Sequence, residues 1–172
     1  MAERPGAITM KGDPLTLIGD DVRVGDKAPD VTVVDGELQE VRLADRIKGG
    51  VSVILSVPSL DTSVCDAEVR RFNEKAAGLG RDVTVLTVSM DLPFAQQRWC
   101  GAADIDRVET VSDYRYAAFG QAFGVLIKEL RLLARAVWVV DGDGVVRYTE
   151  LVKEVADEPD YEAALNAVDE LT

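Results

Sequence analysis

Two cysteines, Cys65 and Cys100, are the residues of this chain best suited to covalent chemistry. A thiolate is a strong nucleophile, and nearby charges and helix ends readily tune the ionisation of a thiol. Histidine is absent, which excludes Ser-His-Asp and Cys-His mechanisms and argues against a zinc site of the usual ligand types. The two cysteines are too far apart for a Cys-x-x-Cys motif, and a reducing cytosol disfavours a purely structural disulfide. The number and spacing of the cysteines alone therefore leave open that both are inert buried thiols.

The segment before Cys65 connects a buried strand to a long amphipathic helix. Pro58 ends the strand because it has no N–H to donate, and Asp61, Thr62 or Ser63 can each cap the helix. In every case the cysteine lies in the first turn, where unpaired N–H groups and the helix dipole favour an anion. We expect a thiolate there, with the Thr62 hydroxyl beside the sulfur. The alternative is that Thr62 is only a cap and Cys65 only a small apolar side chain.

An arginine, Arg135, stands at the beginning of an otherwise apolar strand. Burying a guanidinium is costly unless an anion pairs with it. A thiolate is such an anion, and Arg135 would then also stabilise negative charge that develops as the sulfur reacts. The alternative partner is a carboxylate, because the chain has 31 aspartate and glutamate residues.

Strands and helices alternate along the chain. β-branched and apolar runs predict strands at residues 31–34, 51–57, 83–88, 136–140 and 145–148, and an N-terminal hairpin at 8–10 and 15–18. Apolar stripes of helical spacing predict helices at 63–79, 93–100, 114–123 and 160–171. This order predicts the α/β class, with a mixed central sheet flanked by helices and an N-terminal β-hairpin, in one domain over residues 1–172. The thioredoxin-like fold satisfies the order, as do other three-layer α/β folds.

Composition narrows the classes of partner. The chain has 172 residues, and 19 basic against 31 acidic residues give a net charge of −12. An acidic surface repels phosphate backbones, which argues against nucleic acid. No apolar run approaches the roughly 18 residues of a membrane span, and the first residues lack a secretory pattern. We therefore expect a cytoplasmic protein that binds no membrane, and nothing in the sequence indicates a cofactor or metal.

These motifs together resemble the bacterial thiol peroxidases, an atypical two-cysteine subfamily of the peroxiredoxins. The spacing Pro58-x-x-x-Thr62-x-x-Cys65 matches the peroxiredoxin active-site signature. Three further segments are similar to the subfamily: residues 91–101 around the second cysteine, 133–137 around the arginine, and 158–165 in the last helix. Trp99 stands where an aromatic residue, commonly Phe, precedes the second cysteine.

The resemblance implies a thioredoxin-like fold and assigns a role to each candidate residue. Cys65 would be the peroxidatic cysteine and Cys100 the resolving cysteine, with Thr62, Arg135 and Pro58 completing the site. The implied reaction reduces hydrogen peroxide and organic hydroperoxides through a Cys65 sulfenic acid and an intramolecular Cys65–Cys100 disulfide. Thioredoxin would recycle the disulfide, and the protein would be a homodimer.

A disulfide requires the two Cα atoms to approach within roughly 7 Å. The predicted helix at 93–100 is short, with Gly101 as its expected C-cap, and short helices have little stability of their own. We therefore expect this helix to move or unwind between redox states.

Three other classes remain open at this point. A thiol–disulfide oxidoreductase acting on proteins would need a Cys-x-x-Cys pair for fast resolution, and the chain has none. A peroxide sensor would use the same chemistry to oxidise a partner, and a trapped mixed disulfide would reveal it. A binding module would carry inert thiols, which titration of Cys65 would distinguish.

Overall fold

The computed structural model describes residues 1–47, 49–76, 78, 83–103 and 107–172. Within these residues the chain forms ten strands and five helices. The strands are β1 (Glu3–Met10), β2 (Asp13–Ile18), β3 (Thr32–Val34), β4 (Glu40–Arg42), β5 (Val51–Ser56), β6 (Val83–Ser89), β7 (Val108–Ser112), β8 (Leu126–Ile127), β9 (Ala136–Val140) and β10 (Val146–Leu151). The helices are α1 (Leu43–Ile47), α2 (Ser63–Ala76), α3 (Pro93–Ala103), α4 (Ala118–Ala122) and α5 (Tyr161–Leu171).

A mixed sheet forms the centre of the molecule, with the strand order β10-β9-β5-β6-β7-β3-β4. Strands β5, β6 and β7 are parallel, and β9 joins β5 in the antiparallel direction. Every residue of β5 and β9 is buried, which explains why both read as continuous apolar runs without alternation. The predicted α/β class with a mixed central sheet is confirmed.

Each face of this sheet is covered by its own apolar cluster. On one face, α2 packs against β6 and β7, and α5 packs against β5, β9 and β10. The two helices share an apolar cluster that includes Cys65, Val69, Phe72 and Val168. On the other face, α1, α4 and the N-terminal strands form a second cluster. Cys65 therefore belongs to the layer that α2 and α5 form on the first face. None of the helices in the described part of the chain has the length and apolar character that a membrane span requires.

The N-terminal hairpin forms a second, three-stranded sheet with the order β1-β2-β8. Its turn consists of Lys11 and Gly12, both with positive φ (52° and 85°), because Met10 pairs with Asp13. Positive φ at both positions is typical of the tight hairpin turn that matches strand twist. The hairpin is as predicted, but its turn is shorter than the gap between the predicted strands at 8–10 and 15–18, because β2 already begins at Asp13.

Two helices differ from the prediction. Helix α3 continues to Ala103, so Gly101 lies inside it and is not its C-cap. Helix α4 is limited to Ala118–Ala122 because Ala117 adopts a left-handed φ of 51°, which interrupts any helix starting at residue 114. The Asp113 carboxylate accepts hydrogen bonds from the N–H groups of Phe119 and Gly120 and so begins the helix there. The predicted end of the helix at 63–79 lies outside the described residues.

Candidate active site

The loop between β5 and α2 places Cys65 in the first turn of its helix. The Thr62 hydroxyl accepts a hydrogen bond from the Cys65 N–H at 3.4 Å, and the Thr62 carbonyl accepts one from Asp66 at 2.9 Å. This is the geometry of a helix N-cap. Of the three caps that the sequence left open, the structure therefore selects Thr62. The same hydroxyl donates to the Ser59 carbonyl at 3.0 Å.

Cys65 is fully buried, with none of its surface exposed. It packs in the apolar cluster with Val57, Leu60 and Val69. Low polarity strengthens any electrostatic interaction that the sulfur makes. It also means that a peroxide reaches the sulfur only when neighbouring side chains move aside.

Arg135 is 1% exposed and lies against this cysteine. Its Nε and Nη2 donate to the Val155 carbonyl at 3.2 and 3.0 Å, and its Nη1 donates to Glu68 Oε2 at 2.6 Å. Burial alone would lower the pKa of this guanidinium. The charges and hydrogen bonds of Glu68 and Cys65 outweigh burial, so the pKa of Arg135 is raised.

The two anions that the sequence offered as alternatives for Arg135 are therefore both present. The arginine is next to Cys65, as predicted, but its direct salt bridge is with the buried carboxylate of Glu68. The carboxylate that the sequence left open as the alternative partner is therefore Glu68. The physical reason is that Glu68 follows Cys65 by three residues and thus shares the buried face of α2.

Glu68 is an unusual buried carboxylate. Its side chain is completely buried, and its Oε1 has no hydrogen-bond partner among the described residues. Burial raises the pKa of Glu68 to about 7, although the charge and hydrogen bond of Arg135 act to lower it. The negative charge beside Arg135 and Cys65 therefore changes near neutral pH.

A cavity of about 200 Å³ lies beside these residues. Pro58, Thr62 and Arg135 line it together with apolar side chains that include Val64 and Leu132. The structure thus brings three of the five predicted residues to one cavity, with Cys65 buried in contact with them. Apolar surroundings of this kind disfavour bound water, so a substrate that reaches the sulfur displaces little solvent.

Cys100 occupies a different place. Its Sγ lies 3.8 Å from Thr110 Oγ1 on β7, and burial raises the pKa of the Cys100 thiol despite that contact. Both cysteines are free thiols. Among the described residues, the apolar cluster around Cys65 includes Trp99 but not Cys100. The structure therefore shows the two thiols unbonded and in different surroundings.

A polar contact holds the helix of Cys100 against the helix of Cys65. Trp99 Nε1 donates to Asp66 Oδ1 at 2.7 Å, and Arg70 Nε donates to Asp66 Oδ2 at 2.9 Å. The Arg70 guanidinium also lies over the Trp99 ring, 5.9 Å from its centroid, and donates to the Ala103 carbonyl at 3.4 Å. We refer to Asp66, Arg70 and Trp99 as the α2–α3 latch. It fastens α3 in the observed position.

Asp91 fixes the loop before the cysteine. Its carboxylate accepts hydrogen bonds from the hydroxyl of Ser59 at 2.7 Å, the N–H of Leu60 at 2.8 Å and the hydroxyl of Ser89 at 2.8 Å. The loop is thereby tied to the end of β6 and the beginning of α3. Movement of α3 and the shape of the Cys65 loop are thus physically linked.

Comparison with known proteins decides the family. The redoxin family matches residues 23–165 of the chain. The thiol peroxidase of Bacillus subtilis is 59% identical over 160 residues, which cover 93% of this chain and 95% of that protein. The thiol peroxidase of Staphylococcus aureus (strain MRSA252) is 51% identical over 160 residues, 93% of this chain and 96% of that protein. The chain belongs to the redoxin family, among its thiol peroxidases.

Solved structures agree with this assignment. A peroxiredoxin-like protein from Aquifex aeolicus has a TM-score of 0.90 and 45% identity, covering 97% of this thiol peroxidase and 98% of that chain. A thiol peroxidase from Chromobacterium violaceum has a TM-score of 0.84 over 95% of each chain, and at 21% identity it shows the fold alone. The predicted thioredoxin-like fold is confirmed, and the protein is a thiol-dependent peroxidase.

Sequence reasoning missed three residues of this thiol peroxidase site: Glu68, Asp66 and Asp91. Glu68 could have been found from the sequence. It lies three positions after Cys65 and so falls on the apolar stripe of α2, where a carboxylate needs a cation. Asp66 and Asp91 could not have been found in this way, because their contacts with Trp99 and Ser59 join segments about 30 residues apart.

Proposed function

We propose that Cys65 reduces hydrogen peroxide and organic hydroperoxides, that Cys100 then forms an intramolecular disulfide with it, and that thioredoxin reduces that disulfide. The observation that carries this proposal is the buried guanidinium of Arg135, which lies against the Cys65 thiol at an apolar cavity. A buried cation at a nucleophilic sulfur favours the thiolate that attacks an O–O bond.

In the first step the thiolate attacks the terminal oxygen of the hydroperoxide and the O–O bond breaks. The sulfur is oxidised to a sulfenic acid, and the departing oxygen takes up a proton as alcohol or water. A guanidinium has five N–H donors, of which the bonds to Glu68 and Val155 use three. The remaining donors of Arg135 can therefore stabilise charge on the sulfur and on the departing oxygen.

The size and lining of the cavity support organic substrates as well as hydrogen peroxide. A water molecule takes up roughly 30 Å³ in the liquid, and hydrogen peroxide is about twice that size. The cavity volume of about 200 Å³ exceeds this need. Its walls include Met10, Leu132 and Val155, which suit an alkyl chain.

In the second step the Cys100 thiol attacks the sulfenic sulfur, the S–S bond forms and water leaves. The Cα atoms must come within roughly 7 Å, whereas the Cys100 thiol faces Thr110 on β7 and Cys65 is fully buried in the apolar cluster under α2. Helix α3 must therefore leave its position, and the latch bond between Trp99 and Asp66 must break. Thioredoxin, with a low-potential dithiol, would then reduce the disulfide by exchange.

Replacing Cys100 with serine tests this scheme. We expect Cys100→Ser to consume about one equivalent of peroxide at the wild-type rate and then to stall, because thioredoxin has no disulfide to reduce. Rapid measurement of peroxide loss in a single turnover follows the reaction of Cys65. NADPH oxidation, coupled through thioredoxin and its reductase, measures sustained turnover. Sustained wild-type turnover of this variant would contradict the disulfide, and absence of turnover in the wild type would contradict thioredoxin as reductant.

We also propose a homodimer, in which a second copy covers the beginning of α3. Two large apolar side chains there are exposed, Leu92 at 51% and Phe94 at 66%. Phe94→Glu should shift the protein toward monomer in sedimentation velocity, because a charge is costly at the centre of an apolar contact. Val24→Glu is the matched control, since Val24 is 58% exposed near β10 on the far side of the sheet. A monomeric wild type, or an equal effect of both variants, would overturn this surface.

The cytoplasmic location remains a prediction from the sequence. It is consistent with the proposed reductant, because thioredoxin dithiols work in a reducing compartment.

A further inference from the structure

A second cavity lies on the side of the central sheet that faces away from Cys65. Its volume is about 320 Å³, and it shares no lining residue with the cavity beside Cys65. Successive residues of a strand point to opposite faces. On β9, Val137 and Val139 therefore join the cluster of Cys65, whereas Ala136 and Trp138 belong to the other cluster and line this second cavity. We refer to it as the Trp138 cavity.

The lining of the Trp138 cavity is apolar and partly aromatic. Trp138 and Phe123 lie edge to face with ring centroids 4.9 Å apart, and they are 2% and 1% exposed. Val125 and Leu151 line the cavity as well. Aromatic rings gain binding energy from each other beyond the area that they bury. These surroundings therefore favour a flat aromatic ligand.

The indole N–H of Trp138 is an unused hydrogen-bond donor. No hydrogen bond between described residues includes it, and the nitrogen is not among the fully buried polar atoms without a partner. The small part of Trp138 that remains accessible therefore opens onto the cavity that it lines. A buried tryptophan N–H usually has an acceptor. A ligand oxygen in the cavity would supply it.

The charged residues around the Trp138 cavity are mostly cations. Arg4, Arg23 and Lys153 line it, against the single carboxylate of Asp21. Asp21 is already paired with Arg4. Arg23 and Lys153 are exposed, and none of the ion pairs between described residues includes either of them. On a protein with a net charge of −12, two unpaired cations beside an apolar cavity attract an anion to that place.

We propose that the Trp138 cavity binds a small aromatic carboxylate. The ring contacts Phe123 and Leu151. One carboxylate oxygen accepts a hydrogen bond from the Trp138 indole, and Arg23 and Lys153 balance the charge. Ligand pockets in proteins measure roughly 300–1,000 Å³, so a cavity of about 320 Å³ suits a small molecule. This site goes beyond the proposed peroxidase function, because none of its residues takes part in that reaction.

The experiment compares 2-naphthoate with 2-naphthamide, which has the same rings without the charge. The chain has two tryptophans, Trp99 and Trp138, so its nitrogen-15 spectrum has two indole N–H signals, and Trp99→Phe assigns them. Saturating 2-naphthoate should shift the Trp138 signal and leave the Trp99 signal in place. At low salt, equilibrium dialysis should give an affinity for the acid at least roughly fivefold above that for the amide, from the Coulomb energy of one exposed charge pair. This difference should shrink as salt screens the cations.

Two charge reversals locate the effect. Arg23→Glu should weaken binding of the acid by roughly fivefold or more and leave binding of the amide nearly unchanged. Arg98→Glu is the matched control, because it makes the same change in net charge. Arg98 is exposed on α3, and α3 packs against β7, four strand positions from β10, or roughly 19 Å across the sheet. We expect it to bind the acid as the wild type does. Arg23→Gln, with an expected smaller loss, decides the matter if Arg23→Glu folds poorly.

Three outcomes would overturn the inference. The first is a Trp138 signal that 2-naphthoate does not shift. The second is an amide that binds as tightly as the acid, and the third is an equal loss of affinity in Arg23→Glu and Arg98→Glu. Each of these would leave the proposed peroxidase function standing, because peroxide consumption by Cys65 is measured without either naphthalene compound.

Discussion

Serine in place of Cys65 is expected to reduce peroxide consumption to the uncatalysed rate. A serine hydroxyl remains protonated at neutral pH and does not attack an O–O bond, whereas a thiolate does. The change is nearly isosteric, and the Thr62 cap on the backbone N–H of residue 65 stays in place. The variant is therefore expected to lose peroxidase activity while keeping its fold. Peroxide decay measured by a dye assay, with far-UV circular dichroism as the folding check, tests this expectation.

The remaining cysteine supplies an internal control for that experiment. In Cys65→Ser the Cys100 thiol is still present, but burial raises its pKa and Thr110 is its neighbour instead of a guanidinium. We therefore expect no compensating activity from Cys100. Consumption by Cys65→Ser at a rate near that of the wild type would show that Cys100 is the nucleophile and that the assignment of the two roles is wrong.

The fold was predictable where apolar runs are long and boundaries are marked by strong local signals. Strands β5, β6 and β9 follow from continuous β-branched runs, and α5 follows from its stripe and from Asp160, whose side chain caps it by accepting from the Ala163 N–H. The short elements β4, β7, β8 and α1 were not predictable. Unlike β3 and β9, they have no continuous β-branched run to mark them, and so few residues carry too little periodicity.

The candidate site was predictable only in part, for a related reason. Pro58, Thr62 and Cys65 are close in sequence, so the loop and helix start fix their arrangement locally. Arg135 was identifiable because a guanidinium beside an apolar strand needs an anion. Its salt bridge with Glu68 joins residues 67 positions apart, and only the packing of α2 on the central sheet decides it. The hairpin tip at the cavity depends on the same long-range packing.

The ion pair between Arg135 and Glu68 leads to the second large effect. Arg135→Met is expected to lower kcat/KM by roughly 10²–10³-fold, the usual loss when a preorganised donor to developing charge is removed. It should also destabilise the fold by at most about 3–5 kcal/mol, the cost of a buried charge without its partner, and by less where Glu68 takes up a proton, because removing Arg135 removes the charge that lowers the pKa of Glu68. Urea unfolding and single-turnover peroxide kinetics measure the two effects separately.

A double variant separates chemistry from stability. In Arg135→Met with Glu68→Met, both buried charges are gone, and apolar replacement of a buried pair is often neutral. Most of the lost stability should return, while kcat/KM should stay as low as in the single variant. The Val155 carbonyl loses its two guanidinium donors in both variants, so that cost cancels in the comparison. Recovery of activity in the double variant would mean that Arg135 acts only by holding Glu68. Equal stability of Arg135→Met and the wild type would mean that Glu68 finds another partner or takes up a proton.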